Sequence, residues 1–382
     1  MKSVLDLSKE VLLAIVVATL LIARPVSAQP SIIDLGILPG ADFSRAAAIN
    51  ERGQIVGDSG NSQSPLGESH AFLWQHGTMT DLGTLGATSS VAGAINKRGQ
   101  VIGIRDIASP SAIFAFFWQD GIMTDMGTLG GNFSAPRAIN ERGQVVGASS
   151  TASVEFELHA FLWRDGIMTD LGTLGGNSSS AAAINERGQI VGSSQTASGD
   201  DHAFLWQHDT MTDLGTLGGS FSAAGAINER GQVVGTSQTG SGESHAFLWQ
   251  HGTMSDLGTL GGNFSSAVAI NEQGNVVGES QTALGQIHAF LWQHGTMIDL
   301  GALNGVRSGA HAINKRGQIL GFIRDAKKTD RAFIWQDGTM TLLETLGPHF
   351  SRAEAINERG QVVGQSESRA VLWTNAPPRT DE

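Results

Sequence analysis

The tripeptide Ala-Ile-Asn occurs eight times in the chain, and this repetition constrains the fold more than any other feature of the sequence. Successive copies are separated by 43 to 46 residues, and each asparagine is followed three residues later by a glycine. Each repeat also contains one of the eight tryptophans. A period of this length is typical of solenoids and propellers, in which each repeat is one small structural unit. The asparagines are Asn50, Asn96, Asn140, Asn185, Asn228, Asn271, Asn314 and Asn357.

Each repeat contains four short runs that are typical of β-strands, and the fifth repeat illustrates them. The first run is rich in Ala and Gly and leads into Asn228-Glu229-Arg230-Gly231, whose Asn and Gly favour a type I turn. We expect a longer polar loop, residues 236–244, between the second and third runs. The glycine-rich residues 258–262 are expected to cross to the next repeat. The four runs are residues 222–228, 232–235, 245–249 and 254–257.

The two ends of the repeat array complement each other. An isolated fourth run, residues 32–36, precedes the first repeat, and the last repeat ends soon after its third run, residues 370–373. Pairing the first run with the last repeat completes a unit, whereas an open solenoid offers no reason for complementary ends. The sequence therefore predicts an all-β fold, an eight-bladed β-propeller of four-stranded antiparallel blades closed by the N-terminal strand. Residues 29–382 would form one domain of eight repeats of about 44 residues.

Residues 1–28 have the pattern of a secretory signal peptide. Lys2 and Lys9 precede an apolar run, residues 11–23, and Val26-Ser27-Ala28 supplies the small residues of a cleavage site. The apolar run is shorter than the roughly 20 residues that a membrane-spanning helix needs. We therefore expect cleavage near Ala28 and a secreted protein, extracellular or periplasmic, with no membrane span in the mature chain. An uncleaved anchor is the alternative.

The composition excludes several kinds of site and partner. The chain has no Cys, which excludes disulfides, zinc thiolates and iron–sulfur clusters. It has no Tyr, which is the nucleophile of sialidases. The formal net charge is −12, and an acidic surface repels phosphate backbones, so we expect no nucleic-acid partner.

The repeated histidines and aspartates are interpreted as structural. Equivalent third strands of neighbouring blades would place these histidines about 13 Å apart. They would then lie too far apart to share a metal whose bonds are about 2.1 Å long. We expect the histidines to bond to nearby backbone and the aspartates of the fourth runs to fix turns, so we predict no metal and no other cofactor. The histidines that begin third runs are His70, His159, His202, His245 and His288.

The repeat motifs resemble a known family. His-Ala-Phe-Leu-Trp, Asp-Leu-Gly-Thr-Leu-Gly-Gly and Ala-Ile-Asn-Glu-Arg-Gly-Gln-Val-Val-Gly are similar to the repeat of the HAF-repeat family of extracellular bacterial repeat proteins. The resemblance covers essentially residues 31–373, and the His position is occupied by Phe114, Arg331 and Arg369 in three repeats. It implies export and repetition, and it implies no catalytic residues.

Comparison of the repeats with one another indicates where a ligand would bind. The loops between the second and third runs vary strongly, and loops on a rigid scaffold usually contain the binding residues. The positions three and five residues before each Asn also vary, and their charged residues cluster if the array closes into a ring. Two further arginines would line the rim of the same sector. The candidate ligand-binding residues are Arg45, His311, Arg352, Glu354, Arg307 and Arg324.

These observations favour an exported, non-catalytic propeller, expected to be a monomer, that binds an extracellular or envelope glycan or protein through its loop-rich face. Within this reading, Arg45 and Arg352 would bind an anionic group and Glu354 would orient them. The alternative function is a hydrolase or lyase with a site at the axial channel, formed by His311, Arg352, Glu354 and Arg45. A purely structural role in the cell envelope, or a local ion-pair network in place of a ligand site, also remains open.

Overall fold

A computed structural model describes residues 31–64, 68–108, 111–152, 157–348 and 350–374. The predicted signal peptide, residues 1–28, lies outside the described residues. Within the described ranges every regular element is a β-strand, so the predicted all-β class is confirmed. The same ranges contain no helix that is long and apolar enough to span a membrane.

The strands fall into consecutive antiparallel units, which we number 1 to 8 from the N-terminus. The first strands of the units are β2 (Phe43–Ile49), β6 (Ser89–Ile95), β10 (Gly130–Ile139), β14 (Gly175–Ile184), β18 (Gly218–Ile227), β22 (Gly261–Ile270), β26 (Arg307–Ile313) and β30 (Ser351–Ile356). The second strands are β3 (Ile55–Gly60), β7 (Val101–Ala108), β11 (Val145–Thr151), β15 (Ile190–Thr196), β19 (Val233–Thr239), β23 (Val276–Thr282), β27 (Ile319–Arg324) and β31 (Val362–Ser366).

The third strands are β4 (Ser69–Gln75), β8 (Ser111–Gln119), β12 (Leu158–Arg164), β16 (Asp201–Gln207), β20 (Ser244–Gln250), β24 (Ile287–Gln293), β28 (Asp330–Gln336) and β32 (Arg369–Thr374). The fourth strands of units 1 to 7 are β5 (Thr78–Asp81), β9 (Ile122–Asp125), β13 (Ile167–Asp170), β17 (Thr210–Asp213), β21 (Thr253–Asp256), β25 (Thr296–Asp299) and β29 (Thr339–Leu342). Unit 8 takes its fourth strand from the other end of the chain. That strand is β1 (Ser31–Asp34), which pairs antiparallel with β32 so that Ser31 lies opposite Thr374.

Two tight turns lie at the same end of each of units 1 to 7, and unit 5 shows both. The Gly231 N–H donates to the Asn228 carbonyl at 3.0 Å, which closes the turn between the first and second strands. His251 (φ 51°) and Gly252 (φ 80°) form the turn between the third and fourth strands. Positive φ at both central residues matches the right-handed twist of a two-residue hairpin, and His tolerates it better than β-branched residues do.

The connections at the opposite end are shorter than the sequence predicts. In unit 5 the predicted loop 236–244 is wrong, because β19 continues to Thr239 and a short turn closes with the Gly242 N–H donating to the Thr239 carbonyl at 3.0 Å. The predicted crossover 258–262 is also too long, since β22 already begins at Gly261. The polar side chains of these segments suggested loops, although the backbone there continues the hydrogen-bonded ladder of the strands.

The core consists of separate clusters, each shared by two neighbouring units. In the cluster between units 4 and 5, Val191 and Leu205 pack with Val233 and Phe247, and Trp249 packs against them. The predicted packing role of the tryptophans agrees with this arrangement. A serine that occurs at the same place in all eight repeats also links the units, because the Ala246 N–H donates to the Ser265 hydroxyl at 2.8 Å. Each unit therefore depends on its neighbours for most of its apolar burial.

The eight repeated asparagines form one continuous series of hydrogen bonds, which we call the Asn series. Each side-chain Nδ2 donates to the backbone carbonyl of the asparagine in the next unit, at 2.9–3.2 Å. Asn357 of unit 8 donates to Asn50 of unit 1. Each Oδ1 accepts two backbone N–H groups of its own turn, as Asn185 does from Arg187 and Gln189. The repeated Asn is therefore both a turn residue and a contact between units.

Candidate functional site

The variable position three residues before each Asn is a β-bulge in every first strand. In β26, Ala310 pairs with Gly321 and Ala312 pairs with Leu320, which leaves His311 as the extra residue. Glu354 has the same place in β30. A bulge redirects a side chain away from the regular pleat, and bulges are frequent beside functional sites. The bulges therefore direct the side chains of His311 and Glu354 differently from those of the regularly paired residues on either side.

Four of the six candidate residues line one cavity of about 330 Å³ between units 7 and 8. The cavity contains one carboxylate, one imidazole and two guanidinium groups from the predicted set, together with residues that the sequence analysis did not select. The four are His311, Arg324, Arg352 and Glu354, and the additional lining residues are Phe322, Asp330 and Ala353.

Both arginines of this cavity already contact a carboxylate. The Nε of Arg352 lies 2.6 Å from Oε1 of Glu354, and the side chain of Arg352 remains 64% exposed. Arg324 makes a bidentate contact with Asp330, at 2.6 and 2.7 Å. A guanidinium has five N–H donors, so a contact with one carboxylate leaves other donors available. The contact with Glu354 instead fixes the direction in which the remaining donors of Arg352 point.

The two titratable groups at the bulges have shifted pKa values. Burial lowers the pKa of His311, and the charge of Arg352 lowers it further, whereas a hydrogen bond to the Ala353 backbone opposes the shift. Burial raises the pKa of Glu354, and Arg352 opposes that shift. Among the described residues, Nε2 of His311 is buried without a hydrogen-bond partner. The imidazole of His311 is therefore uncharged at neutral pH, and its Nε2 is shielded from solvent.

We expect His311→Val to reduce the loss of stability at acidic pH. Because the pKa of His311 is lower in the folded protein, the unfolded chain binds this proton more readily as the pH falls below the ordinary value of about 6.5. Folding stability should therefore decrease below that pH, and removal of the imidazole should remove this contribution. Valine fits the position, since Val268 occupies the equivalent bulge of unit 6.

The measurement is the melting temperature of both proteins at pH of about 7.5 and about 5.5. The decrease between the two pH values should be smaller for the variant. An equal or larger decrease in His311→Val would mean that His311 is not held neutral by its surroundings.

The structure does not bring the two remaining candidates into this cavity, which corrects the predicted single cluster. Arg45 lines a second cavity of about 720 Å³ with Asp58, and its guanidinium lies 4.7 Å from the Phe43 ring centre. Arg307 donates to Glu279 of the preceding unit. Arg45 and Arg352 therefore line different cavities, although Gln365, which lines the cavity of Arg45, is the strand partner of Arg352.

Three of the residues that the sequence analysis missed share one position. Each comes directly after the glycine that recurs in every second strand, and the three are Asp58, Glu279 and Phe322. There they lie beside variable first-strand residues, as Glu279 does with Arg307 of the next unit. Burial raises the pKa of Asp58, whereas the charge of Arg45 lowers it. Comparing the repeats at this position would have identified all three, because most other repeats have small residues there.

The third-strand histidines contact carboxylates, so the predicted bond to nearby backbone is wrong. In five units the His Nδ1 lies 2.7–2.9 Å from the aspartate of the adjacent fourth strand. The same aspartates accept a backbone N–H two residues later, as Asp256 does from Gly258 at 2.7 Å, which confirms their turn role. In unit 2, where Phe114 replaces His, Arg105 contacts Asp125. The described residues contain no group of three or more His, Asp or Glu side chains placed to hold a metal ion.

No family model matches the chain, and no curated protein matches its sequence. Solved structures do match its fold. Dipeptidyl peptidase 4 of Porphyromonas gingivalis aligns with 78% of this chain and 52% of its own, at 10% identity and a TM-score of 0.55. A puromycin-hydrolyzing peptidase of Mycobacterium tuberculosis aligns with 85% of this chain and 57% of its own, at 11% identity and a TM-score of 0.54.

A structure from an analysis of two prolyl endopeptidases aligns with 83% of this chain and 50% of its own, at 10% identity and a TM-score of 0.53. The chain thus spans about half the length of these three structures. Identities this low show a likeness of fold alone.

Proposed function

We propose that this chain is an eight-bladed β-propeller, closed by β1, which is exported and binds an acidic extracellular glycan without catalysis. The repeat that resembles the HAF family and the signal-like residues 1–28 support export. The site would be the cavity between units 7 and 8, at the loop-rich face. This proposal has two parts, the closed ring and the ligand.

Three contacts between the ends of the chain support closure. β1 supplies the fourth strand of unit 8 by pairing with β32. The Ala370 N–H donates to the Ser44 hydroxyl at 2.9 Å, which repeats the serine contact between the other units. Asn357 donates to the Asn50 carbonyl at 3.2 Å and completes the Asn series. A ring with eight equivalent contacts of each kind has no open end.

The position of Arg352 is the observation on which the ligand proposal depends. Its guanidinium is mostly exposed at a cavity and is oriented by Glu354. A fixed planar guanidinium binds carboxylates and sulfates through paired hydrogen bonds. Phe322 lines the same cavity, and the guanidinium groups of Arg307 and Arg324 each lie 5.7 Å from the centre of its ring. A cavity of about 330 Å³ is at the small end of ligand sites, which fits one acidic sugar unit.

We expect Arg352→Ala to weaken binding of an acidic glycan about ten- to hundredfold, since a charge-assisted hydrogen bond contributes about 1.5–3 kcal/mol. The measurement is binding of the purified protein to an array of uronic-acid, sulfated and neutral glycans. Arg137→Ala is the control, because Arg137 is an exposed first-strand arginine like Arg352 but lies at the bulge of unit 3. Its variant should bind normally.

Two results would contradict this proposal. Equal binding by the two variants would remove Arg352 from the site. A large decrease in melting temperature for Arg352→Ala, without a binding defect, would show that Arg352 and Glu354 form a structural ion pair.

A hydrolase or lyase at the same cavity is a second candidate, and the opposite pKa shifts of Glu354 and His311 favour it. A carboxyl with a raised pKa can donate a proton closer to neutral pH, and an uncharged imidazole can accept one, which are the two roles of acid–base catalysis. Arg45 would take no part, since it lies in the other cavity. Product formation from a bound acidic glycan that is lost in Glu354→Gln would establish this function in place of simple binding.

A further inference from the structure

The turns between the first and second strands present a row of exposed arginines, which we call the turn arginines. Seven of the eight turns contain Arg at the third position, and Gln273 occupies it in the remaining turn. All seven side chains are exposed, and within the described ranges none has a carboxylate within 4.0 Å. The turn arginines are Arg52, Arg98, Arg142, Arg187, Arg230, Arg316 and Arg359.

The glutamates of the same turns do not neutralise these arginines directly. Each of the six turn glutamates accepts a backbone N–H from the turn of a neighbouring unit, at 2.8–3.2 Å. Glu186, for example, accepts the Glu141 N–H. The six are Glu51, Glu141, Glu186, Glu229, Glu272 and Glu358. Their carboxylates therefore hold adjacent turns together and leave the arginine side chains exposed, and the Arg359 guanidinium donates to the Glu51 backbone carbonyl.

These turns form one even surface, the Asn-turn face. All eight turns have the same length, and the Asn series joins each to the next. With Lys97 and Lys315, the turns contain nine basic and six acidic side chains, a formal charge of +3 in a chain of −12. The outer turns, linked to them by contacts such as Gln54 to Gln75 at 2.8 Å, contain one basic and four acidic side chains, a formal charge of −3, so the positive charge of this face is confined to the inner turns. The charged outer-turn residues are Asp120, Asp165, Asp209, Asp337 and Arg164.

The first described residue, Ser31, lies at this face. Ser31 lies opposite Thr374, at the end of the third strand where the other units form their outer turns. The preceding 30 residues, which include the apolar run 11–23, therefore join the fold at the Asn-turn face.

We propose that the Asn-turn face docks on a lipid bilayer that contains anionic headgroups, with the turn arginines as the contacting groups. Basic side chains near an anionic membrane surface are attracted over about one Debye length, roughly 10 Å at 0.1 M salt. A flat row of solvated arginines fits a flat surface better than a single narrow ligand. The proposal is independent of the glycan site, which lies at the opposite end of the strands.

The test is co-sedimentation of the full chain with vesicles of phosphatidylcholine alone or with about 30% phosphatidylglycerol. We expect the triple variant Arg142→Gln, Arg187→Gln and Arg230→Gln to lose about a hundredfold in partitioning to the anionic vesicles. Glutamine fits this position, as Gln273 shows. The difference between anionic and neutral vesicles is the readout, because an apolar segment binds both.

The matched control removes the same charge from the loop-rich face, through Lys327→Gln, Lys328→Gln and Arg331→Gln, all exposed residues. It should partition as the unchanged chain does. Equal losses in both triple variants would show unspecific charge attraction and overturn the proposal. Equal binding of the unchanged chain to both kinds of vesicle would also overturn it, as would binding of an anionic polysaccharide by the turn arginines without any vesicle binding.

Discussion

Asn185→Ala should lower the free energy of unfolding by about 3–5 kcal/mol, a large effect for one polar residue. The side chain is 3% exposed and makes four hydrogen bonds. Its Oδ1 accepts two backbone N–H groups, and its Nδ2 donates to the Gln189 side chain and the Asn228 carbonyl. Alanine leaves these buried partners without a replacement, and each unsatisfied group costs about 1–3 kcal/mol.

Arg187→Ala is the control for this prediction, because Arg187 lies in the same turn but is exposed. An exposed substitution of this kind usually changes stability by no more than about 0.5 kcal/mol. Urea denaturation followed by circular dichroism measures both variants against the unchanged chain. A change below about 1 kcal/mol for Asn185→Ala would mean that solvent replaces the Asn series at little cost.

Deletion of residues 31–36 should destabilise the whole molecule by about 5 kcal/mol and promote association between molecules. The deletion removes β1 and Leu35, which is 5% exposed in the cluster that joins units 8 and 1. It leaves β32 as an unpaired edge, and edges of that kind template pairing with other chains. Thermal melting and light scattering as a function of concentration measure the two effects.

Replacement within β1 provides the control. Ile32→Met with Ile33→Thr converts Ser31–Asp34 toward Thr78–Asp81, the fourth strand of unit 1. This variant keeps the strand and should remain monomeric, with a small change in melting temperature. If the deleted protein melts and migrates as the unchanged chain does, closure through the N-terminal strand is wrong.

Much of the local structure was predictable because it depends on residues that are close in sequence. Asn228 and Gly231 specify their turn through backbone dihedral preferences, and Asp256 fixes a turn two residues away. The alternation of turns and short apolar runs predicted the all-β class for the same reason. Strand ends were predicted less well, since polar residues such as Ser237 and Gln238 continue a strand whenever a paired backbone lies beside them.

The partners of the histidines were not predictable from spacing. His245 and Asp256 are separated by eleven residues, and their contact depends on the register of β20 against β21. A histidine and a carboxylate on adjacent strands meet in one register and separate in another. The sequence analysis considered each residue alone and therefore assigned the imidazole to the backbone.

The sequence by itself determined the repeated unit: its four strands, its two tight turns, and the variable positions at which the units differ. Only the tertiary structure decided which variable residues meet. Arg45 and Arg352 occupy the same position in their strands, yet Arg45 lies with buried Asp58 and Arg352 lies with Glu354 and Phe322. Their surroundings differ because each side chain packs against bulged and second-strand residues of its own and neighbouring units. Contacts of this kind depend on register and on packing between units, which no periodicity in one chain specifies.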